Sequence, residues 1–280
     1  MPQVSVIIPN YNHADYLSKR IDSVLTQTFT DYELIILDDC SPDNSQEVIT
    51  EYANKYPHIK TVFNKKNSGS PFAQWNKGCD IAQGEYLWFA ESDDFCEPQL
   101  LETLVPLLNK NPNVGIAYAQ TYLVDEKGAI KNSYLENLNF VYKSDTWQQD
   151  FIKNGPEACN EWLLFNNPIP NASGALIRRS SFVKAGMGDP SMKLNGDWFL
   201  YAKILVQADL AFSCKHLNYF RVHDRTQRQR AVMDGTTYQE IIRINNFIRG
   251  EITTSRTNAD LALKKIADWW IGSIPRQKWD

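Results

Sequence analysis

The sequence has no long hydrophobic run. Its apolar stretches, such as residues 6–8 and 34–37, are far too short to cross a bilayer, which excludes a membrane-spanning helix. It has little excess charge. Lys+Arg of 29 against Asp+Glu of 33 leaves a net charge of −4, the wrong sign for a broad electrostatic grip on nucleic acid. Cysteine is sparse and unclustered: Cys40, Cys79, Cys96, Cys159 and Cys214 stand singly, with no C-x-x-C pair. An odd, scattered set reads as free thiols in a reducing cytoplasm and not as a disulfide framework or zinc site. Two phosphate-binding signatures are also missing, the G-x-G-x-x-G turn after the first strand-like segment and the P-loop G-x-x-x-x-G-K-[ST]. Their absence argues against a nicotinamide dehydrogenase or a P-loop kinase. Met1 leads directly into a strand-like segment, so no secretory leader is expected.

What is there is ordinary globular material. Hydrophobic residues make up 43% and charged residues 22% of 280 residues, enough for one domain with a core, or one domain plus a small appendage. The first 125 residues alternate strand and helix signals. Val4-Ser5-Val6-Ile7-Ile8, Glu33-Leu34-Ile35-Ile36-Leu37 and Tyr86-Leu87-Trp88-Phe89-Ala90 are nearly continuous apolar segments, as strands buried on both faces would be. Thr61-Val62-Phe63 and the run from Val114 to Ala119 are further strands. Between them Leu17, Ile21, Val24 and Leu25 recur at helical spacing, Pro71 opens another helix, and Leu100, Leu101, Leu104, Leu107 and Leu108 form an apolar stripe. Such alternation implies a mostly parallel sheet with right-handed crossovers. Beyond residue 125 the periodicity weakens, with a strand at 175–177, a helix over 198–205, and helical sequence from about residue 232.

Ligands of parallel sheets bind beyond the carboxyl ends of the strands. Here those ends carry Pro9-Asn10-Tyr11, Asp38-Asp39 and Glu91-Ser92-Asp93-Asp94. Two of the three are acidic clusters, and carboxylates gathered at one sheet edge repel each other unless a cation or a donor ligand lies between them.

Ser5-Val6-Ile7-Ile8-Pro9-Asn10-Tyr11-Asn12, then Ser23-Val24-Leu25-Thr26-Gln27-Thr28-Phe29, then Glu33-Leu34-Ile35-Ile36-Leu37-Asp38-Asp39-Cys40-Ser41-Pro42-Asp43 resemble the opening of glycosyltransferase family 2. Asn67-x-Gly69, Asn76-Lys77-Gly78, Ala82-x-Gly84-Glu85-Tyr86 and Glu91-Ser92-Asp93-Asp94 follow in that family's order. The resemblance is dense over the first 120 residues and sparser to about residue 225. It implies a GT-A-type, Rossmann-like α/β fold: a mixed, mostly parallel sheet flanked by helices, with a C-terminal helical appendage. Residues 1–125 would form the nucleotide-sugar-binding half, 126–230 the acceptor-binding half, and 231–280 the appendage. The implied activity is inverting transfer of a sugar from a nucleotide diphosphate sugar to a hydroxyl acceptor, a saccharide or lipid-linked saccharide, in bacterial surface polysaccharide or glycolipid synthesis. The expected cofactor is Mn2+ or Mg2+. The competing reading is a non-catalytic sugar-nucleotide or glycan-binding protein on the same scaffold.

By the same resemblance Asp39 accepts the imide N–H of uracil, which makes a UDP-sugar the expected donor and leaves GDP-sugars open. Pro9, Tyr11 and Asp38 belong to the same nucleotide-binding edge, Asp38 equally serving as a cap for the next helix. Glu91-Ser92-Asp93 stands where the family has its D-x-D signature. Residues two apart on an extended segment point the same way, so Glu91 and Asp93 could share a ligand sphere with Asp93 the metal ligand. Glu91 departs from the family's aspartate, which suggests for its longer arm a ribose contact or a supporting place behind the metal ligands. Gly69 and Asn76 flank a helix start facing the donor phosphates, or an unremarked loop and helix. Ser173 and Gly174 resemble the acceptor-side segment, where small residues leave room for a sugar ring. Asp197, in Asn195-Gly196-Asp197-Trp198, resembles the catalytic base, and an ordinary helix cap is its alternative. His223, in Tyr219-Phe220-Arg221-Val222-His223, completes the metal sphere or touches the diphosphate, or is a plain strand-end residue. Arg225, Arg228 and Arg230 belong to a loop over the phosphates or a solvated basic stretch. The tail from Lys264 to Trp279, rich in Trp and Lys, suggests peripheral contact with the inner face of a membrane, or packing against the domain.

Overall fold

The computed structural model describes residues 1–222 and 235–273. His223, Arg225, Arg228, Arg230 and the tail beyond Ser273 lie outside the described residues. The first half follows the expected alternation: β1 (Val4–Asn10), α1 (Ala14–Leu25), β2 (Tyr32–Asp38), α2 (Ser45–Lys55), β3 (Lys60–Phe63), α3 (Pro71–Ile81) and β4 (Tyr86–Phe89). A two-residue strand β5 (Phe95–Cys96), α4 (Leu100–Lys110) and the long β6 (Val114–Val124) follow. Next come β7 (Ile130–Ser133), α5 (Tyr134–Tyr142), β8 (Phe151–Lys153), α6 (Gly155–Ala158), β9 (Ala175–Arg178) and α7 (Arg179–Lys184). The chain continues through α8 (Gly196–Leu205), β10 (Asp209–Arg221), α9 (Thr236–Glu251) and α10 (Arg256–Ser273).

The strands form one mixed sheet in the order β3-β2-β1-β4-β9-β6-β10-β5, with β7 on β6 and β8 on β10. Its long ladders are parallel. β1 runs beside β2 from Val4↔Tyr32 to Asn10↔Asp38, and beside β4 from Val4↔Tyr86 to Ile7↔Phe89. Short β9 is inserted antiparallel between β4 and β6. Alternate residues feed two cores, as the two-residue period of a strand requires. Val6, Ile8, Leu34, Ile36 and Trp88 join α1 and α4 on one face. Ile7, Ile35, Leu37 and Phe89 join α3, α8, α9 and α10 on the other.

The second half differs from the sequence expectation chiefly in β10. This 13-residue strand carries Ser213, Lys215, His216 and Asn218, and its ladder with β6 shifts register between Ser213 and His216 and again between His216 and Asn218. Bulges break the apolar alternation by which a strand is recognised in sequence. The C-terminal appendage is helical, as expected, and it packs into the core. Tyr238, Ile241, Ile244, Ile248, Ala262 and Ile266 sit in the same buried cluster as α8. Trp270 stacks on Tyr238 with ring centroids 5.4 Å apart, and Trp269 meets it edge-on at 5.8 Å. Among the described residues no helix is long and apolar enough to cross a membrane.

Candidate active site

Parallel β1, β2 and β4 release the chain at one edge, and a cleft of about 440 Å3 opens there. Pro9 and Tyr11 enter it from the β1 exit, Asp39 from the β2 exit, residues 69–71 and Gln74 from the start of α3, and Glu91 and Ser92 from the β4 exit. Met192 and Lys193 close the side opposite, from the loop before α8. The volume suits a small-molecule ligand. Three lining residues carry buried polar atoms with no hydrogen-bond partner among the described residues: Asn10 Oδ1, Ser70 Oγ and Gln74 Oε1. Native proteins rarely leave such atoms unpaired, so a polar ligand is the natural complement.

The two aspartates of the β2 exit are separated. Asp39 faces the cleft, its carboxylate accepting from Ser68 N (3.0 Å), Ser68 Oγ (2.6 Å), Asn64 Nδ2 (2.6 Å) and Gln74 Nε2 (2.9 Å). Gly69, in the same turn, holds a φ of +71°, where any side chain would be strained. Asp38 is fully buried outside the cleft lining and accepts from Asn10 Nδ2, Ser41 N, Ser41 Oγ and Gln46 Nε2. It folds the β2 exit loop and offers no face to a ligand.

The β4 exit divides its carboxylates in the same way. Asp94 is buried, accepting from Asn171 Nδ2 (2.5 Å), Ser173 Oγ (2.7 Å) and Arg221 N (2.8 Å), and so pins this loop to the turn before β9 and to the end of β10. Glu91 turns its carboxyl inward, where Trp75 Nε1 donates to it at 2.9 Å. Burial, and then the charge of Asp93, push the Glu91 carboxyl up to about 8 and that of Asp94 to about 7. Asp93 therefore stands between two acids that burial tends to keep protonated. Two guanidinium groups support the loop. Arg20 of α1 donates Nε to Glu91 O at 2.8 Å, and Arg221 donates Nε to Asp93 O at 2.7 Å, with its cation 4.5 Å from the Tyr16 ring centroid. Ser92 Oγ and His13 Nδ1 are 2.9 Å apart at the cleft wall.

Asp197 lies in the first turn of α8. Tyr201, one turn on, has its hydroxyl held well above the usual phenol range by burial and by the charges of Asp197 and Glu91. Both charges thus bear on one buried hydroxyl, while Asp197 itself is not part of the cleft lining, which ends on this side at Lys193, four residues earlier. Gly196 lets the start of α8 pack against α3: a Cβ there would fall 2.3 Å from the Phe72 ring.

Other expected site residues stand elsewhere. Asn76 donates Nδ2 to Gly188 O and accepts from Gly188 N, both at 2.9 Å, and is not part of the cleft lining. Ser173 and Gly174 are buried beneath the β4 exit. Their small size admits Asn218 and the Asp94 network rather than a sugar ring, since a Cβ on Gly174 would sit 3.1 Å from Asn218 Nδ2. Sequence reasoning missed Gln74, Arg20 and Arg221. Arg20 did leave a signal, because it interrupts the buried stripe Leu17, Ile21, Val24 of α1 with a charge.

Comparison with known proteins bears on the family and the fold. Residues 5–185 match the family model described as Glycosyl transferase family 2. An uncharacterized glycosyltransferase of Nostoc sp. is 31% identical over 245 residues, covering 85% of this chain and 70% of that protein. Among solved structures, S. aureus TarS 1–349 in complex with UDP-GlcNAc aligns with a TM-score of 0.68 at 18% identity, over 99% of this chain and 74% of the other. The mannosyltransferase PcManGT from Pyrobaculum calidifontis, in complex with GDP-Man and Mn2+, aligns with a TM-score of 0.68 at 15% identity, over 97% and 75%. At those identities the structural likeness is one of fold.

Proposed function

The chain belongs to glycosyltransferase family 2, and from that premise we propose that it transfers a sugar from a UDP-sugar to a hydroxyl acceptor with inversion at the anomeric carbon. The observation that carries this reading is the cleft at the strand ends, with Asp39 on one wall, Glu91 and Ser92 on another, and orphaned buried polar atoms of Asn10, Ser70 and Gln74 around it. A uracil N3–H would bond the Asp39 carboxylate, sharing it with the Ser68, Asn64 and Gln74 donors. The N-terminus of α3 would favour the diphosphate. The TarS neighbour bound to UDP-GlcNAc supports the uridine assignment, and the PcManGT neighbour bound to GDP-Man leaves guanosine donors as the alternative.

The residues at the β4 exit fit a divalent cation. The charge of Asp93 crowds Glu91 and Asp94, a repulsion that a cation relieves. Among the described residues no three His, Cys, Asp or Glu side chains form a complete cage. Asp93, with His223 a further candidate, would therefore hold Mn2+ or Mg2+ jointly with the donor phosphates, a common arrangement for such ions. When bound, the ion offsets charge on the departing diphosphate. Asp197 takes the acceptor proton as the acceptor oxygen bonds to the anomeric carbon and the carbon–phosphate oxygen bond breaks. The acceptor is a saccharide or lipid-linked saccharide of a bacterial surface polysaccharide or glycolipid. Exposed Leu261, Trp269 and Ile271 on α10 supply a surface for contact with a lipid-borne acceptor. Loss of flotation with anionic vesicles when all three are changed to Ser would support that contact, and no flotation of the native chain would remove it.

The deciding experiment incubates the chain with a panel of nucleotide sugars and Mn2+ and follows nucleotide diphosphate release. Release from a UDP-sugar is expected, with UDP affinity measured by calorimetry falling in EDTA and Asp93→Ala removing the metal enhancement. Tight binding without release from any donor would favour a non-catalytic sugar-nucleotide-binding protein instead.

A further inference from the structure

We propose that Glu240 of α9 is a positioning residue for Asp197. The inference rests on the reading of Asp197 as the base. Glu240 is a charged side chain only 7% exposed, and it lies in the buried face by which α9 packs, among Tyr238, Ile241 and Ile244. Its carboxylate accepts from three successive backbone groups, Lys193 N at 2.5 Å, Leu194 N at 3.2 Å and Asn195 N at 2.9 Å. It also accepts from Asn195 Nδ2 at 3.2 Å. Four N–H groups converge on this acceptor-only carboxylate, Lys193 N on Oε1 and the other three on Oε2. Bonds to an ionised acceptor are roughly twice as strong as neutral ones, so this is a stiff clamp.

The clamped residues lead directly into the first turn of α8. Asn195 is the residue at the N-cap position, yet its side chain makes no cap bond and reaches Glu240 instead. The start of α8 is therefore tied to α9, and Asp197 follows two residues later. The same loop supplies Met192 and Lys193 to the cleft wall. Arg243, one turn farther along α9, grips the loop's beginning through Asp189 Oδ2 at 2.7 Å and Ser191 Oγ at 3.1 Å. Two side chains of one helix thus set the path of residues 189–195. A buried glutamate is a costly way to hold a surface loop, whereas placing a reacting carboxylate to within a fraction of an ångström requires such rigidity.

Glu240→Gln preserves shape but presents an N–H2 group to backbone N–H donors, so the loop should relax. Transfer kcat is expected to fall by roughly 10- to 10²-fold, the scale of a small misplacement of a reacting group, while UDP affinity with Mn2+ by calorimetry falls less, since only Met192 and Lys193 of the cleft wall belong to this loop. Glu240→Asp, which keeps the charge on a shorter arm, should lie between Gln and the native chain. It decides the matter if the Gln variant does not fold. The control is Asn245→Ala, which removes α9 bonds to Leu164 O and Ile241 O away from the loop. Assayed well below both melting temperatures, Asn245→Ala should keep kcat. Because Glu240 acts through Asp197, Asp197→Asn combined with Glu240→Gln should be no slower than Asp197→Asn alone. Native kcat in the Glu240 variants, an equal kcat loss in Asn245→Ala, or a further loss in the double variant would each overturn the inference. Near-native turnover by Asp197→Asn would instead fail the base assignment, and this inference with it.

Discussion

Carboxylates in this sequence have opposite surroundings, and their surroundings decide what each can do. Asp197 sits in the first turn of α8, four residues after the Lys193 that lines the cleft, whereas Glu91 points its acid inward against Trp75. Asp197→Asn keeps the shape and the capping ability of the side chain but cannot take a proton. Folding and UDP–Mn2+ affinity should survive while transfer falls by roughly 10²- to 10⁴-fold, and near-normal turnover by a folded Asn variant would take the base role from Asp197. Glu91 carries a different expectation. Its carboxyl holds a proton up to about 8 in the folded chain, against an ordinary 4.5 when unfolded. Between those values the folded state binds more protons than the unfolded one, so stability present below pH 4.5 is lost as pH rises towards 8. Asp94 adds a contribution of the same sign up to about 7. The metal-free melting temperature should therefore decline from pH 5 to pH 8, and Glu91→Gln should flatten part of that decline. An unchanged slope in the Gln variant would remove Glu91 as its source.

At the scale of elements, the packing of α8 against α3 depends on the absence of one methyl group. With a Cβ at residue 196 falling 2.3 Å from a Phe72 ring that is itself buried, either the helix start or the ring must move. Gly196→Ala should destabilise by about 1–3 kcal/mol, the usual cost of overpacking, and should slow transfer by displacing Asp197. Urea denaturation measures the first effect, and Phe72→Leu in the same chain should restore part of it. A loss under about 0.5 kcal/mol, no more than an ordinary surface change, would mean that α8 slides freely. Much of the frame around this contact is legible in sequence. β1, β2 and β4 are buried on both faces, so they read as apolar runs, and the residues directly after them name the cleft edge. β10 is not legible, because Ser213, Lys215, His216 and Asn218 fall across its bulges. The division of labour inside Glu91-Ser92-Asp93-Asp94 is not legible either. Which carboxylate turns inward is set by Trp75, Asn171 and Arg221, each distant in sequence. The hidden supports left one trace: Arg20 and Glu240 are charges standing on the buried faces of their helices, a pattern that costs stability unless a buried partner answers it.

Across the whole molecule the question is whether the stretches 1–125, 126–230 and 231–280 behave as separate bodies. One buried cluster runs from Ile7 of β1 through Phe72, Trp198 and Tyr238 to Ile266 of α10, so removing any of the three exposes apolar surface on the others. The cleft is composite in the same sense, with walls from β1, β2, α3 and the β4 exit closed by a loop that α9 holds. A ligand bound between these walls stabilises every element that must be in place to form them. Thermal unfolding should then be a single transition by both far-UV dichroism and tryptophan fluorescence, since Trp75, Trp88, Trp147 and Trp198 are distributed through the buried layers. UDP with Mn2+ at a hundredfold excess over its dissociation constant should add about 2.7 kcal/mol. For a chain of this length that moves the midpoint by a few degrees, and the two probes should move together. If α9 and α10 were an independent appendage, the dichroism curve would instead show a second transition that UDP leaves in place. That result would also undo the argument that a helix near the end of the chain holds the loop before Asp197.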